Sequence, residues 1–333
     1  MIDSHRPSVI LGIALAIVSF AIALSVPSWA DNLLLRTLTD FLKVAALACA
    51  WNLIGGFTGY ASFGNVAFFG LGAYATGVAM VQFQLPFALG LLASVGVALL
   101  FSLFLGLPAL RLRGHYFAIA TLGAAEATRE IVRNLEIAGA NSGLVLPLER
   151  NASLFYFSVL TVLAVTLIVA FWIARTRFGY SLLAIREDEE AAAVCGIHTT
   201  GFKLAAFALS AVITGLIGGI HAYQLTYIDP EGTFDVKWTV QMIVMSVLGG
   251  AGTVWGPLLG AILVFWPAEY LSRLSTGSPA APLIVFGSVI VLGAILLPRG
   301  LMDLRSRRTR LEILHYLHSF LRILGAMLRA LRV

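Results

Sequence analysis

The chain has 333 residues, of which 59% are hydrophobic and 12% charged, and its mean hydropathy is +0.92. Soluble domains carry about 25% charged residues, so this composition excludes a soluble globular protein and places the chain in a bilayer. The net charge of +5 does not mark a nucleic-acid binder, because residues 303–333 carry all of it: seven arginines stand there against Asp303 and Glu312.

The first apolar run, Pro7 to Ala30, follows His5 and Arg6, and Ser28-Trp29-Ala30 resembles a signal-peptide cleavage site. A signal peptide's apolar core is only about 7–15 residues; this run is longer and reads as an uncleaved first span. Residues 44–110, 151–174, 238–268 and 274–298 contain no Asp, Glu, Lys, Arg or His. A crossing helix needs about 20 apolar residues, and backbone groups in lipid must be satisfied within the segment, so these runs read as helices. The expected fold is an all-α membrane protein of about ten transmembrane helices, at residues 8–30, 33–54, 60–81, 86–108, 116–136, 153–174, 203–227, 238–251, 254–272 and 282–298. The eighth is short and the third Gly-rich, so either could be a broken or re-entrant element.

Two Gly-rich segments stand out. One runs from Gly55-Gly56-Phe57-Thr58-Gly59 through Gly64, Gly70, Gly72 and Gly77; the other runs from Gly249-Gly250-Ala251-Gly252 through Gly256 to Gly260. Small residues permit close helix approach in lipid or unwound backbone lining a polar path; both readings stay open. The segments occupy comparable places in the two halves, which hints at a pseudo-repeat.

In the fifth span Glu126, Arg129, Glu130 and Arg133 share one helical face and can pair along it. Ionisable residues at membrane depth usually face a bundle interior or a watery path. The stripe is therefore either a wall of a translocation route or a self-neutralising ladder. His221, a lone histidine in the seventh span, reads as a packed core residue rather than a proton relay. Cys49 and Cys195 give no disulfide framework. The sequence shows no phosphate-binding glycine loop and no His/Cys cluster at metal spacing, so the chain is expected to hold neither nucleotide nor metal and not to be an enzyme.

Arg111 and Arg113, then Arg175, Arg177 and Arg186, then the arginines from 299 to 310 fall in three loops. An even number of spans puts all three on one side, which the positive-inside rule makes cytoplasmic together with both termini.

Between the sixth and seventh spans (about residues 175–202) lies an acidic, alanine-rich stretch: Arg186-Glu187-Asp188-Glu189-Glu190-Ala191-Ala192-Ala193-Val194-Cys195-Gly196. Glu190-Ala191-Ala192, with Gly196 four residues further on, resembles the EAA loop of ABC importer permeases. The wider string from Ala184 to Ala192 is similar to permeases of the high-affinity branched-chain amino acid importers, and among them to the M-type subunit rather than its H-type sister. Gly59-Tyr60-Ala61-Ser62-Phe63-Gly64-Asn65, Leu112-Arg113-Gly114-His115-Tyr116-Phe117, Leu248-Gly249-Gly250-Ala251-Gly252 and Leu297-Pro298-Arg299-Gly300-Leu301 agree with it in the right order. Departures from that family's pattern are Tyr60 in place of Gln and Asn65 in place of His, and Ala138-Gly139-Ala140-Asn141 also differs.

The resemblance implies a permease domain, residues 1–301, working with a sister permease of the H type, two ATPase subunits and a periplasmic solute-binding protein in a bacterial inner membrane. ATP would sit on the ATPases and this chain would need no cofactor. Arg186, Glu187, Asp188, Glu189, Glu190, Ala191, Ala192 and Gly196 would form a cytoplasmic coupling helix seated in an ATPase groove, the carboxylates pairing there or capping backbone groups, with Gly196 ending the helix. Ser62, Asn65, Tyr74, Tyr116, Thr121 and Glu126 are the expected substrate path. The cargo would be a branched-chain amino acid or another small polar solute, urea and short amides included. An ATP-independent secondary carrier is the alternative. In residues 302–333, Leu314, Leu317, Leu321, Leu324, Leu328 and Leu331 form an apolar stripe, expected to be a basic amphipathic helix on the lipid surface or a short coiled coil with a partner.

Overall fold

A computed structural model of the chain describes residues 23–274, 287–288 and 300–302. Most of the first expected crossing, nearly all of the tenth and the basic tail beyond residue 302 lie outside the described residues. Within them the order is α1 (Asn32–Gly55), α2 (Asn65–Val81), α3 (Phe87–Ala109), α4 (His115–Arg133), α5 (Ala152–Arg175), α6 (Arg177–Glu187), α7 (Glu189–Val194), α8 (Thr199–Leu225), the single turn α9 (Pro230–Thr233), α10 (Lys237–Gly249) and α11 (Gly256–Leu274). Two short strands, β1 (Leu144–Val145) and β2 (Tyr227–Ile228), pair antiparallel and tie together the loops that follow α4 and α8. Of these helices α3, α5 and α8 are each long and apolar enough to cross a bilayer, and α2 is apolar but shorter. The chain is a multi-pass, helical membrane protein.

Side-chain oxygens start several helices. Asp31 accepts from the Leu34 amide at 3.0 Å and Asn151 from Leu154 at 3.3 Å, satisfying amides that have no partner in a first helical turn. Packing then follows residue size. In α3 the buried positions Gly90, Ser94, Ala98, Ser102 and Gly106 recur every four residues, whereas Leu92, Leu100 and Phe104 stand 64%, 69% and 76% exposed. Small residues inward and large apolar residues outward is the arrangement lipid favours, because close packing rather than exclusion of water joins helices there. The hub is α8, against which α2 and α3 pack. A Cβ added to Gly72 would lie 2.1 Å from the Gly215 carbonyl oxygen, and one on Gly218 would lie 2.0 Å from that of Phe69. The α2–α8 contact therefore closes to a distance that only glycine permits.

Three expected elements differ in detail. The third span begins five residues late, because residues 56–64 form a turn and Gly59 takes φ +74°. The eighth is only α10, 13 residues or about 20 Å of helix against a hydrocarbon core of about 30 Å. The charged loop is two helices: Asp188 is extended, at φ −157° and ψ 110°, and separates α6 from α7.

Candidate coupling site and solute path

The acidic loop folds around its own carboxylates. Asp188 Oδ1 accepts from the amides of Glu190 at 2.9 Å and Ala191 at 3.0 Å, capping α7 as an N-terminal Asp does. Beyond α7 the chain turns at Gly196, whose φ of +86° is the left-handed value glycine supplies after a helix end. The Gly196 and Ile197 amides return to the carbonyls of Ala193 and Ala192 at 3.0 and 3.1 Å. Ala192 is buried against the helices behind it, whereas Ala191 faces out and Val194 is 89% exposed.

Glu189 anchors this helix inward. Lys203, buried in the first turns of α8, places Nζ 2.6 Å from Glu189 Oε1, 3.1 Å from the Tyr60 hydroxyl and 3.0 Å from the Leu110 carbonyl oxygen. All three ammonium protons are thereby used. The Tyr60 hydroxyl donates to Glu189 Oε2, its ring lies under the Lys203 ammonium at 4.5 Å, and its edge meets Phe117. Burial pushes the Glu189 carboxyl up, but the hydrogen bonds from Lys203 and Tyr60 and the Lys203 charge outweigh it, so Glu189 titrates below the usual carboxylate value. Glu190 pairs with Arg113 at 2.5 Å, both side chains well exposed. Three of the four carboxylates of the loop thus have partners inside the chain; Glu187 has none among the described residues.

Arg186 joins the loop to both Gly-rich segments. Its Nη1 donates to the Gly56 carbonyl at 2.7 Å and reaches that of Ala251 at 3.4 Å. Asn52 completes the joint, donating to the Thr253 carbonyl at 2.9 Å and accepting from the Gly252 amide at 2.8 Å. The two Gly-rich segments are far apart in sequence but form two turns in contact, with one guanidinium across them.

The expected path residues divide. Ser62, Asn65 and Thr121 are fully buried together where α2 begins: the Phe63 amide donates to Thr121 Oγ1 at 3.1 Å, the Gly64 amide to Ser62 Oγ at 3.3 Å, and Asn65 Nδ2 to Ser210 Oγ at 2.9 Å. Tyr74 is buried further along α2, its ring stacked on Phe234 at 6.0 Å. The structure does not bring Tyr116 or Glu126 to this group. Tyr116 is 74% exposed, and Glu126 belongs to a ladder along α4 with Arg129 at 2.8 Å, continued by Arg129–Glu130 at 3.5 Å and Arg133–Glu130 at 3.8 Å. The charged face of the fifth span pairs along itself. Three buried side-chain atoms make no hydrogen bond among the described residues: Asn65 Oδ1, Tyr74 Oη and Gln224 Oε1.

Sequence reasoning missed a second polar cluster. Lys43, buried in α1, lies 2.8 Å from Asp40 Oδ1 and 3.0 Å from His221 Nδ1 of α8. His221 is therefore packed and hydrogen-bonded, between Phe69 and Trp238. The available signal was Lys43 itself, a cation inside an expected span. Asp40, Lys43, His221 and Trp238 line a cavity of about 720 Å³ together with Arg36, Glu149, Arg150 and Gln224. Along α1 this cavity and the Gly56 turn are 13 residues apart, about 20 Å; along α8 Lys203 and His221 are 18 residues apart, about 27 Å. The cavity and the acidic loop therefore sit at opposite ends of the same two helices.

The helical bundle carries a capped acidic loop at one end and a charged cavity at the other, and sequence comparison gives its family. The family described as "Branched-chain amino acid transport system / permease component" matches residues 33–294, and the chain belongs to it. It is 27% identical to the high-affinity branched-chain amino acid transport system permease protein LivM of Salmonella typhimurium, over 80% of this chain and 69% of that protein. Against LivM of Escherichia coli it is 27% identical over 84% and 71%. A shorter match, 29% identical over 44% of each chain, is to the autoinducer 2 import system permease protein LsrC of Yersinia pestis.

Proposed function

We propose that this chain is the membrane-spanning subunit of an ATP-driven importer, that α7 is its coupling helix, and that the cargo is a branched-chain amino acid or a related small solute. Two ATPases, a sister permease of the H type and a periplasmic binding protein complete the machine, in a bacterial inner membrane with about ten crossings and both termini cytoplasmic. Neither ATP nor another cofactor sits on this chain. The observation that carries the reading is how α7 is mounted. Beside the exposed Glu190, its outward residues Ala191, Ala193 and Val194 are small and apolar and free to enter a partner groove. Its inner face is fixed to the core of the bundle by Glu189 on Lys203, and the end of α6, just before the Asp188 break, is fixed by Arg186 on both Gly-rich turns. A push on α7 therefore reaches α8, α1 and the turn before α11 together.

The carboxylates have a different job from simple pairing with a partner: Asp188, Glu189 and Glu190 shape and seat the helix, which leaves Glu187 and the Ala191–Val194 face for the ATPase. Ser62, Asn65, Thr121 and Tyr74 line the path through the middle of the bundle. The test is co-purification of the tagged chain from its native membrane. An ATPase pair and a sister permease should accompany it, and Ala191→Arg, which changes an outward residue, should lose the ATPase while the sister permease stays. Purification as a lone chain or self-oligomer contradicts the proposal.

A further inference from the structure

The cavity at the end of α1 and α8 away from α7 is lined by charges that the chain itself only partly satisfies. Arg36, Asp40 and Lys43 stand at i, i+4 and i+7, one face of α1. Arg36 and, from the segment before α5, Arg150 are exposed, and neither is in an ion pair among the described residues. The buried Lys43 spends two of its three ammonium protons on Asp40 at 2.8 Å and His221 at 3.0 Å. Glu149 Oε1 accepts from the Asn151 amide at 2.9 Å. Gln224 Nε2 donates to Asp40 at 3.3 Å, and its Oε1 is buried without a partner among the described residues. Phe155, Met245, Val264 and Phe265 supply an apolar side. The volume, about 720 Å³, falls in the range that holds small ligands, roughly 300–1,000 Å³. A second observation gives the depth. Trp29, just ahead of α1, and Trp266 and Tyr270 on α11 are exposed, at the same end of the bundle as the lining residues Arg36, Phe265 and Ala268. Trp266 packs on Phe41 of α1 at 5.9 Å. Exposed Trp and Tyr at the ends of apolar helices gather at the headgroup level of a bilayer, so the two arginines share that level.

We propose that this cavity binds the headgroup of a membrane phospholipid, of the class that joins a phosphodiester to a primary ammonium. The phosphate is taken by Arg36 and Arg150, whose planar forks match phosphate oxygens, and by the third proton of Lys43, which extends towards it from two turns deeper. The ammonium is taken by the Glu149 carboxylate and Gln224 Oε1. The glycerol and the first carbons of an acyl chain lie on Phe155, Met245, Val264 and Phe265. A headgroup with a phosphate but no ammonium would leave Glu149 beside an added anion. A trimethylated ammonium has no N–H to give Gln224 Oε1. A free phosphate ester offers the same headgroup chemistry but nothing for the apolar wall. Residues of α1, α5, α8, α10 and α11 all line the cavity, so one lipid would tie five helices together at this end. The assignment stands apart from the importer reading, because it needs neither ATP nor a partner on α7.

The test is a reporter cysteine in the wall, Gln241→Cys, in full-length chain carrying Cys49→Ala and Cys195→Ser, delipidated in detergent with whatever subunits accompany it. The rate of methanethiosulfonate labelling is measured with the dihexanoyl forms of phosphatidylethanolamine, phosphatidylcholine and phosphatidylglycerol, and with glycerophosphoethanolamine, the same headgroup without acyl chains. The ethanolamine lipid should slow labelling in a saturable way, and each of the other three should need at least about tenfold higher concentration. Arg36→Gln with Arg150→Gln should raise the half-protecting concentration of the ethanolamine lipid about tenfold. Equal protection by the three lipids, no protection by any of them, or a reporter that never reacts overturns the proposal. Equal protection by glycerophosphoethanolamine also overturns it, in favour of a free phosphate ester, and protection by L-leucine at lower concentration than the lipid does so in favour of a solute. If the arginine variant does not fold, the ligand comparison on the reporter chain still decides. A second readout is the phospholipid that stays with the natural chain on purification from its native membrane: its ethanolamine class should be enriched over the surrounding membrane, and a composition equal to that of the membrane counts against the site.

Discussion

Lys203 is the residue on which the acidic loop depends. It is buried, with one carboxylate, one phenol and one carbonyl on its three protons. Removing one partner of a buried pair costs about 3–5 kcal/mol, because the other charge is left without compensation. Lys203→Met should therefore release α7, seen as hydrogen exchange of the Ala192 and Cys195 amides rising towards that of free chain, whereas Arg113→Gln, which removes an exposed pair worth about 1 kcal/mol or less, should leave them protected. The same contact sets a pH dependence. The folded-state pKa of Glu189 is depressed, so its contribution is fully present above the ordinary carboxylate value and is lost as pH falls through the lower folded one. Loop protection should hold at neutral pH and fall on acidification below the usual carboxylate range. In Glu189→Gln it should already be weak at neutral pH and lack that acid step; an unchanged acid step in that variant would assign the titration elsewhere. None of this was legible residue by residue. The acidic run was visible, but its partners Tyr60 and Lys203 lie 129 and 14 positions away, and periodicity reports only neighbours on one element.

At the scale of elements, two devices carry the architecture. One is Arg186 across the Gly-rich turns. Without it the loop keeps its cap and its Lys203 anchor but loses its hold on the turns at Gly56 and Ala251. Arg186→Gln should therefore retain the ATPase in pull-down yet lower uptake by about 5- to 150-fold, the range of a coupling free energy of about 1–3 kcal/mol. Loss of ATPase binding in that variant would instead make Arg186 part of the docking surface. The other device is the glycine contact of α2 with α8. Gly218→Ala, whose Cβ would fall 2.0 Å from the Phe69 oxygen, should cost about 1–3 kcal/mol as overpacking, read as a lower melting temperature in detergent. Gly123→Ala on α4, with nothing within 4 Å of its Cβ, should not. The sequence foresaw α1, α3, α5 and α8 to within a few residues, since length and lack of charge decide a span. It did not place the break at Asp188 or the late start of α2. There Asp188 capping and the contacts of residues 56–64 override an otherwise continuous pattern.

Across the whole molecule, α1 and α8 each have one end in the acidic loop and the other in the charged cavity. A rigid-body tilt of either helix moves both places at once, which is the geometry alternating access requires. The class of protein was readable from the acidic loop and the flanking glycine motifs, and the family match over residues 33–294 agrees with that. The cavity was not readable, because Lys43 and His221 are 178 positions apart and each alone looks like an isolated polar residue in an apolar helix. The most direct measurement is uptake of labelled leucine into proteoliposomes holding the purified chain with whatever subunits accompany it and the binding protein proposed above. Internal supply of ATP or an imposed ion gradient is compared for the natural chain and for Ala191→Arg. Uptake is expected with ATP alone, and it should be abolished in Ala191→Arg although the variant remains folded in the membrane. Uptake driven by the gradient without ATP, or ATP-driven uptake unchanged by Ala191→Arg, would contradict the proposed importer.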